Sequence, residues 1–248
     1  MKRIVYPISL WFLLVFGSSG LAAQSLMLAA GAGYKKPVTE VVNAFRKTTD
    51  AKMTEIYGNI RMVTTQARQT GEVDCIIGDR KFLNRVSSQL NNFGFSRMQA
   101  IGQGYLVLAW RKGVHPKNLD DLLRNKSHQV FMPQQTRAVY GIAAQEFIKS
   151  GGYQKCLAGK LTQVATVPQV AAYLLTGEAD SGFINLTEAL ADGDRLGGYF
   201  LIPQEEYGKI EIVAGLVSGK NNGKAANDFM QFLDTDEARA ILKKYGLQ

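Results

Sequence analysis

The chain has 248 residues, of which 46% are apolar and 20% are charged, a composition typical of a globular protein with a substantial hydrophobic core. The formal net charge of +8 suits an anionic ligand or surface, but the basic residues form no dense run and are not interleaved with aromatic residues, which argues against a nucleic-acid partner. The two cysteines, Cys75 and Cys156, exclude a disulfide-rich framework and any zinc site built from several cysteines.

Residues 1–23 have the pattern of a secretory signal peptide. Lys2 and Arg3 form its charged start, an apolar segment follows, and residues 21–23 form a small-residue cleavage site. The apolar segment is shorter than the roughly 20 residues that a membrane-spanning helix needs. We therefore expect export and cleavage, so that the mature chain begins at Gln24 and its formal charge falls from +8 to +6 without Lys2 and Arg3.

After residue 23, apolar runs alternate with amphipathic patterns, which predicts an α/β fold. The predicted strands cover residues 26–30, 52–57, 73–77, 104–110, 129–132, 162–165, 181–184, 199–202 and 210–217. The predicted helices cover residues 38–47, 61–69, 81–89, 119–123, 140–150, 168–175, 225–233 and 236–245. Cys75 lies inside an apolar run, which favours a buried free thiol over a disulfide.

The first predicted strand leads through Gly31 and Gly33 into the first predicted helix, with Pro37 at its first position. The free backbone N–H groups at the start of this helix, together with its dipole, favour negative charge. Lys35 and Lys36 stand beside them in the sequence. This unit is therefore predicted to hold an anion.

A short motif occurs twice, as TGEVD at residues 70–74 and as TGEAD at residues 176–180. In both copies the glycine fits the end of a helix and the following residues open a strand. We therefore expect two lobes that share one plan, with a ligand cleft between them.

The sequence contains no nucleophile elbow, metalloprotease helix or phosphate-binding loop. It predicts no enzymatic activity, no cofactor and no resident metal. A metal is expected to bind only as part of an oxyanion ligand. The alternative is an extracytoplasmic enzyme that uses Asp79, Glu178 or Asp180 as acid and base. Because Asp74 and Asp180 occupy equivalent positions in the repeated motif, structural roles are favoured.

Five predicted strands end in small or polar residues, at 31–34, 57–61, 133–141, 165–168 and 182–187. Open α/β sheets bind their ligands at such strand ends. The pattern predicts a composite site without naming its ligand.

The order and spacing of several segments resemble the periplasmic molybdate-binding proteins of ABC importers. These segments are LAAGAG at 28–33, YGN at 57–59, DCIIGD at 74–79, ATVPQ at 165–169, GEADSGFI at 177–184 and ARAILKKYG at 238–246. The resemblance covers essentially all of the chain after residue 23 and implies a type II periplasmic binding protein fold with two chain crossings between its lobes. Lobe I is then expected at 24–103 plus 211–248 and lobe II at 104–210.

The resemblance also implies a function. It predicts a monomeric periplasmic protein that captures a small oxyanion, of the molybdate or tungstate type, and delivers it to an ABC permease in the inner membrane. The lobes are expected to close over the ligand by hinges near residues 102–105 and 206–210.

Transferred residue by residue, the family site lacks two of its hydroxyl groups here. One family serine falls at Ala32 or Gly33, and the other falls at Ile60. The family's backbone donors fall at Tyr140 or Gly141 and at Val167, and its ligand-binding tyrosine falls at Asn185. The full candidate site is Ala32, Gly33, Tyr34, Asn59, Ile60, Arg61, Tyr140, Gly141, Val167 and Asn185.

Two replacements for the missing hydroxyls remain open. Asn59 and Asn185 have amide groups that can donate in their place. Alternatively, the same fold binds a sulfate-like anion, an organic acid or a phosphorylated compound through charged side chains, which are then Lys35, Arg61 and Arg137.

Overall fold

The computed structural model describes residues 25–219 and 223–247; the predicted signal peptide and cleavage site lie outside these residues. The strands are β1 Ser25–Gly31, β2 Lys52–Gly58, β3 Cys75–Asp79, β4 Phe95–Gly104, β5 Leu106–Trp110, β6 Val130–Pro133, β7 Leu161–Val164, β8 Ser181–Asn185, β9 Gly198–Leu201 and β10 Ile210–Val217. The α-helices are α1 Lys35–Phe45, α2 Ile60–Thr70, α3 Arg80–Ser88, α4 Leu119–Leu123, α5 Val139–Ser150, α6 Gln154–Leu157, α7 Val167–Thr176, α8 Leu186–Asp192, α9 Lys224–Phe232 and α10 Asp236–Lys244. Single 3-10 turns lie at Ala32–Tyr34, Gly193–Arg195 and Gln204–Glu206.

The strands form two sheets of five, in the orders β2-β1-β3-β10-β4 and β7-β6-β8-β5-β9. In each sheet the first three strands are parallel, and the last two are antiparallel to their neighbours. We call the first sheet with its helices lobe I and the second lobe II. The predicted α/β class with two lobes is confirmed.

The chain crosses between the sheets twice. It leaves lobe I at the end of β4, passes through Tyr105 and enters β5; it returns through residues 202–209 into β10. Each crossing runs from an edge strand to the fourth position of the other sheet. The predicted lobe boundaries and hinge positions stay predictions.

The central strands β3 and β8 are buried at every residue. A strand with neighbours on both sides and helices on both faces reads as a continuous apolar run, because neither face meets water. Cys75 begins β3 and is fully buried, and burial raises the pKa of its thiol. Both cysteines are free, as predicted for Cys75.

The repeated motif ends a helix in the same way in both lobes. Gly71 follows α2 with φ of +63°, and Gly177 follows α7 with φ of +86°. A left-handed backbone after the last helical turn is the conformation that glycine adopts without steric cost. The predicted helix ends are therefore confirmed.

The aspartates of the motif bind equivalent neighbouring strands. The Asp74 carboxylate accepts a hydrogen bond from the Met27 amide (2.8 Å), and the Asp74 amide donates to the Met27 carbonyl. Asp180 makes the same two bonds with Gln129, at the start of β6, and also accepts from the Arg111 guanidinium at 2.8 Å. Both aspartates thus have the structural role that the motif predicted.

Four elements differ from the sequence prediction. The strand β4 was not predicted, because its sequence has no regular alternation of polar and apolar residues and its residues range from buried to exposed. The short helices α6 and α8 were missed as well. The helix α1 begins at Lys35, so that Pro37 occupies the third helical position and not the first.

The start of α8 nevertheless has a sequence signal. The Asn185 side chain accepts a hydrogen bond from the Glu188 amide at 3.0 Å, and an Asn followed three residues later by Glu is a helix-start pattern. In the described part of the chain, no helix is long and apolar enough to cross a membrane.

We expect the Asp180→Ala substitution to lower the free energy of unfolding by about 1–3 kcal/mol, because it leaves the Gln129 amide and the Arg111 guanidinium without their acceptor. Urea unfolding followed by circular dichroism measures this change. Glu178→Ala, at an exposed position of the same motif, is the matched control and should change the free energy by less than about 0.5 kcal/mol. Equal unfolding midpoints for the two variants would contradict the assigned role of Asp180.

Candidate functional site

A cavity lies between the lobes, where strands of both sheets end. Residues 31–34 and 58–60 of lobe I line it, with residues 137–140 and 165–167 of lobe II. The volume open to the centre of a water-sized sphere in this cavity is about 50 Å³. On the same measure, a cavity that holds one water molecule needs ~10–15 Å³. The space suits a small ligand.

Three helices begin at this cavity: α2, α5 and α7. The first N–H groups of a helix have no acceptor within it, which here applies to Ile60, to Val139 and Tyr140, and to Val167. Their orientation and the helix dipoles favour an anion.

Except for Met62, which does not line the cavity, the other N–H groups of these first turns are already bonded or missing. The Arg61 amide donates to the Asn59 side chain at 3.0 Å, and the Gln169 amide donates to the Thr166 hydroxyl at 3.4 Å. Pro168 has no N–H, and the Gly141 amide donates to the Ala138 carbonyl. The backbone donors left for a ligand are therefore few and come from both lobes.

Two buried tyrosines meet at the cavity, one from each lobe. The hydroxyl oxygens of Tyr34 and Tyr140 lie 2.9 Å apart, and burial, as the largest cause, raises the pKa of both side chains. Both phenols are therefore neutral at physiological pH. Because the pair uses one O–H as donor, the second O–H is free to donate to another acceptor.

Asn185 joins the lobes and does not line the cavity. Its Nδ2 donates to the Gly33 carbonyl at 2.9 Å, and its Oδ1 accepts from the Glu188 amide. The Asn185 side chain also opposes the rise in the pKa of Tyr140. Its amide group thus serves contacts within the protein, in contrast to the donor role that the sequence suggested.

The cavity lining includes seven of the ten residues predicted for the site: Ala32, Gly33, Tyr34, Asn59, Ile60, Tyr140 and Val167. Arg61 and Gly141, like Asn185, lie outside the lining. The Arg61 guanidinium is exposed and donates to Gln89 at 2.9 Å. Gly141 packs beneath the loop before α5, where an added Cβ would lie 2.4 Å from the carbonyl oxygens of Pro133 and Gln134.

The lining also includes residues outside the predicted set: Gly31, Gly58, Arg137, Ala138, Val139, Ala165 and Thr166. Thr166 supplies a hydroxyl whose oxygen caps α7 while its proton remains available. A Thr followed three residues later by Gln is a capping box, so this hydroxyl had a sequence signal. Arg137, named for the alternative ligand, is exposed and its guanidinium has no partner in the described part of the chain.

The two lysines expected beside the anion do not line the cavity. The Lys35 ammonium is exposed and lies 5.8 Å from the centre of the Tyr57 ring. Lys36 instead forms ion pairs with Glu188 and Asp192 of lobe II. Direct contact between either lysine and a ligand in this cavity is therefore not supported.

The carboxylates considered for catalysis also lie outside the cavity lining. The Asp79 side chain caps α3 by accepting from the Phe82 amide at 2.7 Å, and burial raises its pKa. Glu178 is exposed and Asp180 binds Gln129 and Arg111. Among the described residues, no group of three or more His, Cys, Asp or Glu is arranged to hold a metal ion.

Comparison with known proteins matches residues 26–248 to the family model described as bacterial extracellular solute-binding protein. The molybdate-binding protein ModA of Rhodobacter capsulatus is 25% identical over 240 residues, which cover 91% of this chain and 88% of that relative.

Two solved structures share the fold. The periplasmic molybdate-binding protein of Azotobacter vinelandii has a TM-score of 0.79 at 20% identity, with 90% of this chain and 98% of that chain covered. L-phospholactate-bound PEB3, a protein of Campylobacter jejuni, has a TM-score of 0.73 at 17% identity, with 90% and 99% covered. The predicted type II periplasmic binding protein fold is confirmed. At these identities the structures establish the fold and not the ligand.

The tyrosine pair depends on a glycine at the first crossing. A Cβ added to Gly104 would lie 2.2 Å from the Tyr140 hydroxyl, so we expect Gly104→Ala to displace that hydroxyl and lower the free energy of unfolding by about 1–3 kcal/mol. Adding Tyr140→Phe removes the clashing oxygen, and the double variant should lose less than the sum of the two single variants. Urea unfolding measures all three.

Gly94→Ala is the control for this series, because the nearest atom to its added Cβ is 3.8 Å away. Strict additivity of Gly104→Ala and Tyr140→Phe would show that the hydroxyl is not what the glycine accommodates.

Proposed function

The chain belongs to the bacterial extracellular solute-binding protein family, and we propose that it captures a small oxyanion of the molybdate or tungstate type and delivers it to an ABC permease of the inner membrane. The observation that carries this proposal is the convergence of three helix N-termini from two lobes on one small cavity. The similarity to two molybdate-binding proteins, from Rhodobacter capsulatus and Azotobacter vinelandii, supports an oxyanion as the ligand.

The donors at the cavity fit an oxyanion that is held by neutral groups. Backbone N–H groups, the Thr166 hydroxyl and the tyrosine pair surround the space. The Nδ2 of Asn59, whose Oδ1 caps α2, makes no hydrogen bond within the described residues and adds a further donor. Hydrogen bonds to a charged acceptor contribute about 1.5–3 kcal/mol each, so several neutral donors suffice to bind an anion.

Capture requires the lobes to move. Since each lobe supplies half of the cavity lining, we expect a ligand to enter while the lobes are apart and to be enclosed when they close about the two crossings. From the predicted signal peptide we expect a periplasmic location, and we expect the protein to act as a monomer. It performs no reaction in this proposal.

We expect molybdate or tungstate to raise the thermal unfolding temperature, because a ligand that binds only the folded state adds about 2.7 kcal/mol at a concentration of 100 Kd. A thermal-shift series with molybdate, tungstate, sulfate and phosphate, followed by titration calorimetry, ranks the anions. Silence toward all four would remove the oxyanion proposal.

The backbone donor of Val167 can be tested within the same titration. Val167→Pro deletes the N–H at the first position of α7, where proline is tolerated, and should weaken binding at least about tenfold, equivalent to about 1.4 kcal/mol. Val167→Ala shortens the side chain but keeps the N–H, and should bind within about twofold of wild type. The proposed donor role fails if the two variants bind equally.

A second candidate ligand is a phosphorylated organic acid, which Arg137 favours because it lines the cavity and its guanidinium has no partner among the described residues. A planar guanidinium suits bidentate binding of phosphate or carboxylate groups, and a protein of the same fold is known with L-phospholactate bound.

Titration with L-phospholactate and with molybdate separates the two ligands. If the second candidate is correct, Arg137→Gln should weaken L-phospholactate binding at least about tenfold, whereas Arg68→Gln, at an exposed position on α2, should not. Unchanged L-phospholactate affinity in Arg137→Gln would exclude the charged interaction.

A further inference from the structure

One face of α8 contacts lobe I through three polar side chains. Asn185, which caps the helix, Glu188 and Asp192 are spaced three and four residues apart and therefore lie on the same face. Asn185 donates to the Gly33 carbonyl at 2.9 Å. Lys36 Nζ lies 3.2 Å from Glu188 Oε1 and 2.9 Å from Asp192 Oδ1. We call this set of contacts the α8 latch.

The α8 latch holds the segment that forms one wall of the cavity. Gly33 lines the cavity, and Lys36 follows three residues later in α1. An added Cβ at Gly33 would meet Asn185 Nδ2 at 3.1 Å and the Val167 Cβ at 3.4 Å. Gly33 is thus in close contact with two elements of lobe II, and the latch fixes that contact.

The two carboxylates of the latch are nearly buried, with side-chain exposures of 9% for Glu188 and 3% for Asp192. Like charges four residues apart on a helix repel each other. Burial raises the pKa of Glu188, the positive charge of Lys36 lowers it and the charge of Asp192 raises it further. Arg195 of lobe II also pairs with Asp192 at 3.2 Å but is 66% exposed. Within the described residues, lobe I supplies one cation to this pair, Lys36.

We propose that Lys36 is a positioning residue for ligand capture, which pairs with Glu188 and Asp192 when the lobes close and so holds the Gly33 wall against lobe II. The inference rests on the proposed function of the cavity. In it, Lys36 does not touch the ligand and acts through lobe closure.

The physical reason is the asymmetry of buried ion pairs. Removing one partner leaves an uncompensated charge in a poorly solvated site, and that penalty exceeds the net contribution of the intact pair. Glu188 and Asp192 regain water when the lobes separate, so the penalty for losing Lys36 falls on the closed form. The population of the form that binds ligand then decreases, and the apparent affinity decreases by the same factor.

Lys35 provides a matched control. It precedes Lys36 and carries the same charge, but its ammonium lies over the Tyr57 ring of its own lobe and is exposed. Lys35→Met and Lys36→Met therefore change the net charge equally, while only Lys36→Met removes the ion pairs of the α8 latch. If lysine charge at this site merely attracts an anion over a distance, the two variants should weaken binding to a similar extent.

The experiment measures the affinity for molybdate by titration calorimetry. Lys36→Met should weaken binding at least about tenfold, equivalent to about 1.4 kcal/mol, and Lys35→Met by less than about threefold. Combining Lys36→Met with Glu188→Gln and Asp192→Asn removes both carboxylate charges that face the missing ammonium and should restore most of the affinity. Equal losses in the two lysine variants, or no recovery in the triple variant, would overturn the proposal.

A second measurement does not depend on the identity of the ligand. Small-angle X-ray scattering should give a larger radius of gyration for ligand-free Lys36→Met than for Lys35→Met, with wild type close to Lys35→Met. Urea unfolding midpoints of the ligand-free Lys35→Met and Lys36→Met variants show whether each variant remains folded. If wild type binds none of the anions, the proposed function fails while the scattering comparison still tests the latch; equal radii for the two variants would overturn the latch itself.

Discussion

A helix that follows a parallel strand begins with N–H groups that have no acceptor in the helix, and the architecture of this protein depends on where those groups point. In each lobe the parallel strands end at the same edge of the sheet, and the helices α2, α5 and α7 begin there. The two edges face each other across a small cavity. The anion-binding role proposed for the cavity therefore rests on the topology of the sheets and does not require a charged side chain.

Every polar group that this arrangement buries near the cavity needs a partner, because an unpaired buried donor or acceptor costs more than a hydrogen bond contributes. Several of these partners belong to the opposite lobe. The hydroxyl of Tyr34 meets that of Tyr140, the Asn185 amide meets the Gly33 carbonyl, and Lys36 meets two carboxylates of α8. Buried polar groups near the cavity therefore obtain several of their hydrogen-bond and ion-pair partners only when the two lobes are in contact.

The two hydroxyl groups missing from the family pattern shift the balance of donors toward the backbone. At Ala32, Gly33 and Ile60 the side chains provide no hydrogen bond, whereas the nearby helix starts keep their N–H groups. Thr166 contributes a hydroxyl from lobe II. In the proposed function, a site dominated by backbone donors recognises the shape and charge of an oxyanion more than its substituents. Arg137 is therefore the side chain that distinguishes the two candidate ligand classes.

The local features of the sequence determined much of the fold. The helix ends at Gly71 and Gly177 were predictable because a left-handed residue after a helix is a property of the glycine itself, and the alternation of strands and helices predicted the two α/β lobes. Most of the cavity lining was predictable too, since strand ends in such sheets form the site. The strand β4 escaped prediction because its stability depends on β10, a strand more than a hundred residues later in the chain.

Tertiary structure alone decided which polar residues face the cavity and which join the lobes. The residue types and sequence positions of Asn185 and Lys36 suggested ligand binding. Their hydrogen-bond partners, however, lie 152 and 156 residues away in the sequence, in the other lobe. The role of a polar side chain depends on the nearest complementary group in space, and in a chain that crosses twice between its lobes that group is set by how the two sheets meet. Residue type and spacing specify the donors and acceptors, and the packing of the lobes determines how they pair.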